Sequence, residues 1–142
     1  MRPQEDDVTA NSRTEPQAQA HADAVDAFIA AANSDDPARR ADLLSRALAP
    51  GVVFWGPIGR GVGRGAVEDF ITEVVQSYRA GGCRLVRTTS VDAPHEWGRF
   101  GWRFEAADGG TVLSGTDMVH LTAAGDIDEI VVFAGPLRPG DL

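Results

Sequence analysis

Lysine is missing from this chain: all 13 of its basic residues are arginine. That excludes a Schiff-base lysine, a pyridoxal phosphate attachment point and a phosphate loop with its lysine. Cysteine is nearly missing as well. A lone Cys83 allows no internal disulfide and no cysteine-rich zinc site. The histidines are three, His21, His95 and His120, and with no close spacing they form no expected metal site. Positive charge is in deficit, with 21 acidic residues, a net charge of −8 and a pI near 4.7. The basic footprint of a nucleic-acid binder is therefore absent. No apolar run approaches the roughly 20 residues of a membrane span, and the first twenty residues hold no hydrophobic signal segment. The expectation is a cytoplasmic protein with neither nucleic acid nor membrane as partner.

What is present suits a single domain. The chain has 142 residues, 43% of them hydrophobic, enough for one ordinary core. Residues 1–17 carry prolines and charges with almost nothing to bury, so composition predicts a disordered tail there. The domain is expected over 18–136, with a flexible tail over 137–142. In 21–33, Val25, Phe28, Ile29 and Ala32 follow the spacing of one helical face. Asp36-Pro37 opens a second helix, with Asp as N-cap and Pro at the first helical position, closed by Pro50-Gly51. A short strand over 52–55 leads into a glycine-rich loop over 56–65. In the third helix Val67, Phe70, Ile71, Val74, Val75 and Tyr78 share one face, ended by Gly81-Gly82. Strands over 84–91, 97–105, 111–122 and 127–133 follow, separated by turn residues. Helices early and strands late indicate an α+β domain with three helices on a strongly bent, mostly antiparallel sheet.

Asp117 is the leading candidate for chemistry. Alternation along its strand puts Leu113, Gly115, Asp117, Val119 and Leu121 on one apolar face. A carboxyl there requires a partner, a cavity or a raised pKa. Phe100, Trp102 and Phe104 alternate on the preceding strand, and Trp55 (or Phe54), Phe28 and Tyr78 can complete an aromatic wall. Gly115 leaves a gap beside Asp117, which favours a cavity. His95, just before the aromatic strand, is the candidate proton-shuttling partner, while His120 points away from Asp117. Gly61-Val62-Gly63-Arg64-Gly65-Ala66 meets a loose dinucleotide fingerprint without the strand-helix-strand unit it needs, and reads as a rim loop. Arg60 and Arg64 could meet an anion at that rim.

In their order along the chain these parts resemble the nuclear transport factor 2-like superfamily, in its SnoaL-like and ketosteroid-isomerase-like branches. The resemblance spans about residues 20–136. It rests on the helix ending Ala30-Ala31-Ala32-Asn33, on Gly56-Pro57-Ile58-Gly59 and on Gly63-Arg64-Gly65. Trp102-Arg103-Phe104, Gly115-Thr116-Asp117 and Gly125-Asp126-Ile127 complete it. It implies a cone, a bent sheet and three helices around an apolar pocket, with homodimers forming through the outer sheet face. Asp117 matches the protonated aspartic acid of the isomerases' oxyanion hole and the acid-base aspartate of SnoaL-like polyketide cyclases. The isomerases' general base would fall at Gly56 and their tyrosine at Phe28, and neither function is carried by those residues.

The resemblance implies an acid-base enzyme needing no cofactor and no metal, of isomerase, cyclase, dehydratase or epoxide hydrolase type. Its substrate would be a hydrophobic cyclic or polyketide-like molecule. Asp117 and His95 would be catalytic, and Phe28, Trp55, Tyr78, Trp102, Phe104 and Gly115 would shape the pocket. Two alternatives stay open: a non-catalytic binder of an apolar ligand, and a dimeric interaction module with a vestigial pocket. The enzyme calls for a pocket at Asp117 and a second titratable group within hydrogen-bond reach. The binder calls for the pocket alone.

Overall fold

The computed structural model describes residues 2–57 and 59–140, with side chains from residue 18 onward and at Pro16. Helix α1 (Arg2–Ala32) meets the core from Ala20 onward, burying Val25, Phe28, Ile29 and Ala32 as their spacing predicts. The disordered tail expected over 1–17 falls where side chains, Pro16 aside, lie outside those described. At the end of α1 the Asn33 amide accepts from Leu85 N and donates to Leu85 O, each at 2.8 Å, tying the helix to the first strand of the meander. Helix α2 (Pro37–Ala47) starts as expected, with the Asp36 carboxylate accepting from Ala38 N at 3.0 Å.

Strand β1 (Leu48–Gly56) begins directly after α2, earlier than the strand expected over 52–55. Pro50 and Gly51 lie inside it, at an interruption of its pairing between Leu48 and Val53. Such residues are tolerated at irregular points of a strand, which is why they read as a helix stop. The loop expected over 56–65 contains a short strand, β2 (Gly59–Val62), paired antiparallel with β1. The third helical rod is three pieces in line: α3 (Arg64–Phe70), a π-helical turn (Ile71–Val75) and α4 (Gln76–Ala80).

Strands β3 (Arg84–Arg87), β4 (Trp97–Glu105), β5 (Thr111–Leu121) and β6 (Ile127–Ala134) form the predicted antiparallel meander. β3 stops four residues short of its expected end. Beyond it the Thr89 hydroxyl, not a backbone carbonyl, takes the Gly101 N–H at 2.9 Å, a side-chain bond that replaces the ladder. β1 adds parallel to β6, giving a six-stranded, bent and unclosed sheet in the order β2-β1-β6-β5-β4-β3. The core lies between its concave face and the helices. No described helix is long and apolar enough to cross a membrane.

Candidate functional site

The inward rows of β4, β5 and β6 supply the floor of a cavity of about 180 Å³. Phe100, Trp102 and Phe104 reach it from β4, Leu113 and Asp117 from β5, and Val132 and Ala134 from β6. Phe28 and Ile29 of α1 close one side; Phe70, Val74, Val75 and Tyr78 of the third rod close the other. The π-helical turn widens the rod where Val74 and Val75 meet the cavity, a distortion that recurs at functional sites. Tyr78 stacks flat on Phe104, with ring centroids 4.1 Å apart and planes 4° from parallel.

Asp117 is the one carboxyl in this lining and is only 5% exposed. Cross-strand neighbours Phe100 and Val132 flank it. The indole Nε1 of Trp102 donates to its Oδ1 at 2.8 Å, and among the described residues that is the carboxyl's sole hydrogen bond. Burial pushes its pKa up to about 7, against the opposing pull of the indole N–H, which favours the ionised form. At neutral pH the group is therefore divided between acid and carboxylate. In the acid form the proton belongs on Oδ2, because Oδ1 already accepts from Trp102.

Gly115 acts differently from the gap expected of it. A Cβ there would lie 2.1 Å from the Phe133 carbonyl oxygen and 2.4 Å from the Trp102 ring. The space is filled by the indole itself, which lies across its cross-strand partner Gly115 to reach Asp117. Gly115 thus places the hydrogen-bond donor and does not line the cavity. A glycine directly opposite a tryptophan in an antiparallel pair is the signal that could have revealed this.

Phe28, Tyr78, Trp102, Phe104 and Asp117 are brought together as expected, whereas Trp55 and His95, like Gly115, are not part of the lining. Trp55 is 43% exposed on the outer sheet face, where its Nε1 donates to Glu129 at 2.8 Å and Arg60 lies over its ring. The inward member of that pair is Phe54, whose ring covers Gly56 and packs on Phe70. The position expected for an isomerase base is thus under an apolar ring. His95 is exposed in the turn before β4, away from the cavity lining, so it is no partner for Asp117. The anion site expected at Arg60 and Arg64 is also not formed, since Arg64 donates to the carbonyls of Ser45 and Leu48 at the end of α2. His120 faces outward as predicted, paired with Asp128 at 2.6 Å and edge-on to Trp97. Among the described residues no cluster of three His, Cys, Asp or Glu could hold a metal ion.

Comparison with known proteins places this geometry. A SnoaL-like family protein from Agrobacterium tumefaciens str. C58, named as a candidate isomerase, superposes with a TM-score of 0.74 at 30% identity, over 83% of this chain and 99% of that one. The chain belongs to the SnoaL-like family. Two more distant structures share the fold. One is a nuclear transport factor 2-like protein of unknown function from Exiguobacterium sp. 255-15, with a TM-score of 0.60 at 17% identity over 80% of this chain and 99% of that one. The other is a candidate polyketide cyclase from Sinorhizobium meliloti, with a TM-score of 0.59 at 18% identity over 78% and 94% of the two chains. No family model and no curated protein sequence matches the chain. In this SnoaL-like fold the cavity combines an aromatic wall with Asp117, the one buried carboxyl among the described residues.

Proposed function

We propose that the protein is an isomerase-type acid-base catalyst acting on a hydrophobic cyclic molecule held in the cone. The observation that carries this reading is Asp117, one carboxyl poised near neutrality in an apolar cavity, with one oxygen engaged by Trp102 and the other free of hydrogen bonds among the described residues. Acting alone, such a group can take a proton from carbon on Oδ2 and return it to another atom of the same molecule. Atoms and charge then balance with no co-reactant. Hydrolysis of an epoxide needs a second group to activate water, and among the described residues no second titratable group is hydrogen-bonded to Asp117. That favours isomerisation, ring closure of one molecule included, over the epoxide hydrolase reading.

By the criterion drawn from the sequence, a pocket at Asp117 with no second titratable group hydrogen-bonded to it among the described residues fits the binder, and this supports a second reading, in which Asp117 only anchors an apolar ligand and no reaction follows. Deuterium uptake from solvent into cyclic ketones of one to four rings, followed by proton NMR, separates the two. The catalyst exchanges protons next to the carbonyl of a ketone it binds, and Asp117→Asn slows that exchange by about 10²- to 10⁴-fold. Binding without exchange establishes the anchor. A homodimer through the outer sheet face is part of the proposal, supported by the exposed apolar side chains Trp55, Met118 and Phe133 on that face.

A further inference from the structure

We infer that the cavity selects a neutral, single-ring molecule carrying one carbonyl oxygen over multi-ring skeletons. This inference rests on Asp117 being the polar anchor, and it concerns size and charge, which are read without turnover. Size comes first. A cavity of about 150 Å³ lined by aliphatic and aromatic side chains holds a benzene. At about 180 Å³ the space here takes one ring with short substituents, roughly seven to ten non-hydrogen atoms. Four fused rings exceed that volume and would leave part of their apolar surface outside the walls. Those walls are not easily moved: Val75 and Phe100 are buried, and Phe104 is held by its stack on Tyr78.

Charge is decided by the lining. It contains no arginine, so a ligand carboxylate or phosphate would lose its water without gaining a counter-ion. It would also face Asp117, whose ionised form repels it. An ammonium ligand could pair with that carboxylate, but it brings several N–H donors. Among the described lining residues only Asp117 and Tyr78 carry side-chain oxygens, so donors would be buried unpaired, and a buried ion pair is favourable only when those remaining bonds are made. A neutral carbonyl oxygen needs one donor, which the acid form of Asp117 provides from Oδ2. The ring then meets Phe28, Trp102 and Phe104.

Calorimetric titration of the full chain at pH 6 tests this with four probes: 3-methylcyclohex-2-enone, progesterone, cyclohexanecarboxylate and cyclohexylammonium. The enone is expected to bind at least tenfold more tightly than each of the others. Val74→Ala, a change at a half-buried wall residue, is expected to shift preference toward the two-ring ketone 1-decalone by about tenfold, the lower end of what one methylene is worth in a pocket. Equal or tighter binding of progesterone, of the carboxylate or of the ammonium overturns the inference, as does failure of all four to bind. If the enone binds selectively but its protons do not exchange, the size and charge reading stands and the catalytic one falls.

Discussion

Replacing Asp117 by Asn changes how stability depends on pH, and the size of the change follows from the site. The carboxyl has its ordinary value of 3.8 when solvated and about 7 when buried in the folded chain. Between those values the folded state holds a proton that the unfolded state has lost, so stability falls as pH rises. The contribution is fully present below 3.8, declines through the window and is gone above about 7. At about 1.36 kcal/mol per pH unit the whole window is worth about 4 kcal/mol, of which about 3 kcal/mol lies between pH 5 and pH 8. For a chain of this size that corresponds to a melting temperature lower by on the order of 8 °C at pH 8.

The assay is thermal or urea unfolding of wild type and Asp117→Asn across pH 5 to 8. Every other ionisable group is common to both proteins and cancels in the difference. Asn keeps the acceptor for Trp102 and cannot ionise, so the two proteins should differ little at pH 5 while the variant is the more stable at pH 8. Parallel curves would refute the reasoning, because they would mean that Asp117 titrates as a solvated carboxylate despite its burial.

Trp102→Phe removes the one donor that favours the ionised carboxyl. A hydrogen bond to a charged group is worth about 1.5–3 kcal/mol, so the carboxyl midpoint, followed by carbon-13 NMR of Asp117, should rise by about one to two units; an unchanged midpoint would show that the indole does not hold the group. Gly115→Ala drives a Cβ into the Phe133 carbonyl and the indole, and should destabilise by about 1–3 kcal/mol in urea unfolding while displacing the Trp102 indole N–H resonance; a neutral substitution would mean that the ring is not seated across the glycine.

Asp117 was legible because strand alternation is strict: with Val119 and Leu121 pointing inward, so must residue 117. The same rule located Phe100, Trp102 and Phe104. It failed at Phe54-Trp55, where two adjacent aromatics offer either phase and the irregular pairing over Pro50-Gly51 hides which one faces in. β2 was hidden by its composition, Gly-Arg-Gly-Val, which carries no alternation and is held by pairing to β1. The π-helical turn leaves no mark in the apolar spacing, since one extra residue per turn keeps Val67, Ile71 and Val75 buried all the same. His95 looked close to Asp117 along the strand order, but a turn residue's direction is set by its local backbone and not by the sheet's period.

Stability alone does not account for the inward row of β5. At residue 117 the neighbours Phe100 and Val132 would accommodate an apolar side chain, yet the chain keeps a carboxyl that weakens the folded state as pH approaches neutrality. At residue 115 it keeps a glycine, which is unfavourable inside a strand. Each choice is poor by itself, and together they are coherent. Gly115 admits the Trp102 indole, the indole occupies Oδ1, and Oδ2 is left without a hydrogen-bond partner among the described residues, free to hold or hand over a proton. Two costs on one strand face that make sense only as a pair support the proposed ligand site, because proteins commonly retain destabilising groups where activity requires them.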